Sequence, residues 1–68
     1  MANSILTDRE RSVFELLISN MKTSEIAEEL GISEKTVRNH ISNVIQKLGV
    51  AGRAVAVVEL LKLNELSL

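Results

Sequence analysis

The chain has 68 residues, 46% of them apolar and 25% charged, with a net charge of −1. That length allows one domain, 1–68, with a small core, and the apolar share is too high for intrinsic disorder. With no cysteine and one histidine, a disulfide, a thiolate metal site and the usual protein-only metal cluster are all excluded.

The first element is written in "LTDRERSVFELLIS". Thr7 and Glu10 stand at capping-box spacing, the hydroxyl accepting from the N3 amide and the carboxylate reaching back to the cap amide. Val13, Phe14, Leu16 and Leu17 follow at helical spacing, which predicts a helix over about 8–19 with Phe14 in the core. Glu10 next to Arg11 reads as a cap rather than as an ion pair. After the polar link "NMKTS", "SEIAEEL" predicts a second, short helix over about 24–30, with Lys22 or Thr23 at its start. Ile26, Ala27 and Leu30 form its apolar face. Glu25, Glu28 and Glu29 form the other, which reads as solvated or, more sharply, as a contact with a partner protein such as RNA polymerase. Gly31 suits the left-handed position after a helix, and Ser33 the next N-cap.

A third helix is predicted over about 34–48, ended by Gly49, with Val37, Ile41, Val44, Ile45 and Leu48 inward. A fourth follows over about 53–63. The chain is therefore read as all-α, a four-helix bundle. A short helix, a three-residue glycine turn "GIS" and a longer helix give it a central helix-turn-helix.

The small net charge hides a division. Residues 8–34 carry three bases against seven acids, and residues 35–53 carry four bases and no acid. The isoelectric balance therefore does not argue against an anionic partner. On the third helix, Lys35, Arg38, Asn39, Ser42 and Gln46 recur at i, i+3, i+4, i+7 and i+11, opposite the apolar stripe. Thr36, His40, Asn43 and Lys47 lie beside them. A bare solvated face mixes charge signs; this one offers only cations and hydrogen-bonding groups. Arg can grip guanine N7 and O6, Asn adenine N6 and N7, while Lys, Ser and Thr suit phosphate.

With those residues in view, "LTDRER", "EIAEELGISEKTVRNHISNVIQKLGV" and "GRAVAVVELLKLNEL" resemble the LuxR/GerE-type helix-turn-helix DNA-binding domain. The likeness spans residues 6–66, and its most specific part is the order of "LT-x-RE", "EIA", "S-x-KTV-x-NH" and "KLGV". It implies four helices, the third in the major groove, the second bracing it and the fourth pairing two subunits. It implies base contacts at Arg38, Asn39 and Ser42, and phosphate contacts at Lys35, Thr36, His40, Lys47 and Arg53. Arg53 rests on the resemblance alone. Family members often carry Ser or Thr at the position of Lys22. Here Lys22 is expected to serve as a phosphate cation, or Thr23 to take over the cap and its contact. Length and tail look most like the stand-alone spore regulators of the family, which implies a bacterial sporulation setting.

The fourth helix, "RAVAVVELLKL", is apolar nearly all round. With Ala56, Val57, Leu60 and Leu61 on the bundle side, Val55 and Val58 point elsewhere, beside Glu59 and Lys62. Two apolar faces on so small a domain suggest a homodimer through this helix. The alternative is a scatter of ordinary surface valines.

The expectation is a sequence-specific double-stranded-DNA-binding transcription regulator acting as a homodimer. Its runners-up are the DNA-binding output domain of a two-component response regulator and a helical protein-interaction module. The opening "MANSIL", without a visible linker, favours the stand-alone form. No phosphate-binding glycine loop, acid pair or nucleophile–base set suggests an enzyme, and His40 has no orienting acid near it in sequence. No catalytic residue, metal, cofactor or small-molecule ligand is expected. The amino terminus has no apolar signal region and no apolar run approaches the roughly 18 residues of a membrane span. A cytoplasmic protein with no membrane partner is expected, and the resemblance implies that it is bacterial and nucleoid-associated.

Overall fold

The computed structural model describes residues 4–68. Residues 1–3, on which the reading of the extreme amino terminus partly rests, lie outside the described residues. The order is α1 Asp8–Ile18, α2 Thr23–Leu30, α3 Glu34–Leu48 and α4 Arg53–Lys62, the four expected helices within one residue at every end.

Local chemistry explains where each helix starts. The Thr7 hydroxyl accepts from the Glu10 N–H at 3.1 Å, and the Glu10 carboxylate accepts from the Thr7 N–H at 2.9 Å, the full capping box. At α2 the cap position is Lys22. Its N–H donates to the Glu25 carboxylate at 2.7 Å, but an ammonium cannot accept, so only half of a box forms. Thr23 lies inside the helix as its first residue and does not take over the cap. Ser33 caps α3, its hydroxyl accepting from the Thr36 N–H at 3.0 Å.

The ends share one solution. Each helix closes with a residue in the left-handed region whose successor donates its N–H back to a carbonyl five residues earlier: Met21 to Leu16, Ile32 to Ala27, Val50 to Ile45 and Glu65 to Leu60. Gly31 (φ 68°) and Gly49 (φ 67°) fill two of these positions. Asn20 (φ 67°) and Asn64 (φ 59°) fill the others; asparagine is among the few side chains that tolerate this region.

The bundle closes around Val13, Phe14, Ile26, Val37, Val44 and Leu60, all fully buried. α3 packs against α1, α2 and α4 and is thereby held on three sides. Leu6 and Leu66, from the segments outside the helices, complete the core. Those two segments are also tied by charge. Arg11 pairs with Glu65 at 2.7 Å, Glu65 accepts from the Ser4 hydroxyl at 2.7 Å, and Arg11 also donates to the Glu65 carbonyl. The Ser4 hydroxyl and the Arg11 guanidinium hold the Glu65 carboxyl below its ordinary pKa. The "tail" of the sequence is thus a packed part of the fold.

Candidate nucleic-acid interface

The turn Gly31–Ser33 sets the geometry of the interface. Gly31 reverses the chain and Ser33 starts α3 at once, so α2 and α3 meet as packed neighbours with little play between them. Val37, Ile41 and Val44 then face α1, α2 and α4 as core. The 3.6-residue period pushes Lys35, Arg38, Asn39, Ser42 and Gln46 outward, and all five are exposed in one stripe. Thr36 and His40 sit half-buried at its margin, and Asn43 is exposed. The Thr36 hydroxyl is 2.9 Å from the Ser33 hydroxyl at the cap.

Two of the cations have protein partners. Arg38 lies 3.5 Å from the Glu34 carboxylate one turn earlier, with both side chains more than half exposed. Lys47 turns away from the stripe. Its ammonium donates to Glu10 at 2.5 Å and to the Ile5 carbonyl at 3.0 Å, tying the end of α3 to the start of α1. Burial raises the Glu10 pKa, but the hydrogen bonds from Lys47 and Thr7 and the Lys47 charge outweigh it, so the pKa lies below the ordinary carboxylate value. Glu10 is the one buried charged residue among those described, and no buried side-chain nitrogen or oxygen among them lacks a hydrogen-bond partner. The periodicity of the sequence does not predict this pair, because it joins positions 37 residues apart. Arg11 with Glu65 and Ser4 escapes it for the same reason.

Lys35 and Lys22 are exposed, and neither ammonium takes part in an ion pair among the described residues. Thr23 is half-buried at the start of α2. Arg53 is exposed as the first residue of α4, behind Gly52, which brings no side chain to cap the helix. On α4, Ala56 and Leu60 are fully buried and Val57 and Leu61 pack partly against the core. Val55 and Val58 are about half exposed, at 48% and 50%, and share a face with the exposed Lys62 and the half-buried Glu59. Glu25, Glu28 and Glu29 are exposed on α2. Among the described residues no group of three His, Cys, Asp or Glu could hold a metal, and no helix is long and apolar enough to cross a membrane.

Residues 4–60 match the family model described as "Bacterial regulatory proteins, luxR family". The spore germination protein GerE of Bacillus subtilis is 69% identical over 64 residues, covering 94% of this chain and 86% of that protein. The transcriptional regulatory protein DegU of Brevibacillus brevis is 50% identical over 58 residues, but the chain spans only 25% of its length. The solved structure of the transcription factor GerE superposes with a TM-score of 0.93 at 62% identity, covering 96% of this chain and 97% of that one. These relatives are regulators, not enzymes. The chain belongs to the LuxR family of bacterial regulatory proteins and is a DNA-binding transcription regulator of the GerE type.

Proposed function

We propose that the chain, as one domain over residues 1–68, binds duplex DNA sequence-specifically as a homodimer with α3 in the major groove. The observation that supports this best is the stripe on α3. It is exposed, carries only bases and hydrogen-bonding groups, and is held rigid by a core on its other side. Arg38, Asn39 and Ser42 read base edges. Lys35, Thr36 and His40 hold phosphate from the same helix, Lys22 and Thr23 from the start of α2, and Arg53 from the start of α4. Lys47 has two of its three N–H groups engaged and keeps one for a phosphate.

Val55, Val58, Glu59 and Lys62 pair two copies through α4. A two-fold axis there presents two α3 helices to half-sites about 34 Å apart. Glu25, Glu28 and Glu29 face away as an acidic surface for RNA polymerase. The protein works in the bacterial cytoplasm at the nucleoid, and its likeness to a spore germination protein supports a role in sporulation.

Equilibrium binding to a duplex carrying a two-fold symmetric site, repeated across salt concentrations and paired with sedimentation, tests this reading. With roughly three to five phosphates neutralised per subunit, the log–log slope is about −5 to −9 for a dimer. A flat salt dependence, or no binding even at low salt, overturns the reading and favours a protein-interaction module.

A further inference from the structure

Among the described residues, α4 is the least enclosed of the four helices. α3 packs against α1, α2 and α4, whereas α4 packs substantially on α3 alone. Apolar burial at Ala56 and Leu60 is non-directional, so it holds α4 on that seam more firmly than it sets its angle. The directional bonds lie outside the seam. The left-handed Asn64 turns the chain so that the Glu65 N–H returns to the Leu60 carbonyl at 2.9 Å, which fixes Glu65 to the last turn of α4. Arg11 of α1 grips Glu65 there twice, pairing with the carboxylate at 2.7 Å and donating to the backbone carbonyl. The Ser4 hydroxyl donates to the same carboxylate at 2.7 Å. Leu66, the next residue, is buried in the core, as is Leu6 from the Ser4 segment. That segment is itself tied to α3, where the Lys47 ammonium donates to the Ile5 carbonyl at 3.0 Å.

We infer that the clasp of Arg11, Glu65 and Ser4 is a positioning device for the dimer: it sets the angle of α4 and, through it, the spacing of the two α3 helices on DNA. This rests on the proposed function, in which the outer face of α4, with Val55 and Val58 half exposed, lies on the two-fold axis. The axis repeats any change in the angle between α3 and α4 in both subunits, so both recognition helices move. One base pair of misplacement is only about 3.4 Å. A rigid α4 keeps the second α3 over its half-site once the first is bound. A rocking α4 must be ordered on binding, which lowers the effective concentration of the second α3.

Arg11→Gln and Glu65→Gln each open the clasp but change the net charge in opposite directions, so an effect shared by both is not one of charge. Each is compared with the parent on three duplexes: the selected two-fold site, the same site with one base pair inserted between its half-sites, and a single half-site beside unrelated sequence. Sedimentation and circular dichroism accompany the binding. Both variants are expected to be helical dimers that bind the single half-site within about twofold of the parent, yet lose about tenfold on the selected site. The preference for the selected site over the lengthened one should shrink by about threefold or more, because a loosened dimer also fits the wrong spacing. Four results overturn the inference and leave the proposed function standing: variants that match the parent on the selected site, lose the half-site equally, keep the parent's spacing preference or dissociate into monomers. A parent that binds the selected site no better than a single half-site removes the dimer reading and this inference together.

Discussion

Helices α2 and α3 are built alike on the inside and oppositely on the outside. Both start at a chain bend where a side-chain oxygen accepts from a backbone N–H and end on a left-handed glycine, and both bury a stripe of aliphatic residues in the same core. Outward, α2 shows three glutamates in eight residues, and α3 shows one acid in fifteen. Packing demands only shape and apolarity, so it fixes the inner faces and is indifferent to the sign of the outer ones. The outer sign is free to serve a partner. α3 suits a polyanion, and the glutamate face of α2 repels one.

The sharpest way to break that contrast is to reverse one charge on each helix. Arg38→Glu is expected to lower affinity for the specific site by a thousandfold or more, since a bidentate base contact worth about 1–3 kcal/mol is replaced by repulsion. Glu28→Lys is expected to change it by less than about threefold, because that face points away from the duplex. Circular dichroism should show both variants fully helical. A gain from Glu28→Lys comparable to the loss from Arg38→Glu would mean that net charge, not the α3 stripe, drives binding.

The next effect concerns how many copies of α3 act together. Val58→Asp puts a charge on the half-exposed valine face of α4 without touching the buried Ala56 and Leu60. It should give a folded monomer in sedimentation, with DNA affinity down roughly a hundredfold, since the second half-site no longer binds intramolecularly. An unchanged dimer would show that α4 pairs nothing.

Smaller effects fall on the joints that hold the two helices. Gly31→Ala meets open space but is forced to a φ of 68°, so denaturant unfolding should show a loss of about 1–2 kcal/mol. Gly52 has ordinary extended backbone and should tolerate the same change far better. The smallest concerns acid. The folded-state pKa of Glu10 is lowered, so its contribution is fully present above the unfolded carboxylate value near 4.3 and is lost as pH falls through the lower folded value. In Glu10→Gln, stability at neutral pH should drop and its decline below about pH 4.5 should become shallower. An unchanged acid limb would mean that the pair with Lys47 contributes nothing to stability.

Much of this molecule is legible in the chain itself because much of it is local. Capping boxes span four residues, helical faces repeat every three or four, and Gly31 and Gly49 mark two of the helix ends directly. Those signals fix the four helices and leave Arg38, Asn39 and Ser42 on one outward stripe. The interactions that escape are long-range or chemically ambiguous. Lys47 looks like one more cation of α3 until the bundle brings Glu10 beside it. Arg11 and Glu65 stand 54 positions apart, and Leu66 reads as tail until it is found in the core. Asn20 and Asn64 hold left-handed turns that asparagine shares with many ordinary loop positions. Lys22 shows the opposite failing: its place in the sequence suggests a cap, and its chemistry allows only half of one.

The most direct test of the central claim, that the outward stripe of α3 reads sequence, is selection of bound sites from a random duplex pool at about 0.15 M salt. The parent and an Arg38→Ala, Asn39→Ala variant are run in parallel. The account predicts that the parent enriches a two-fold symmetric motif with half-sites one helical turn apart, and that the variant still binds weakly but enriches nothing. A variant that enriches the same motif as the parent would contradict it.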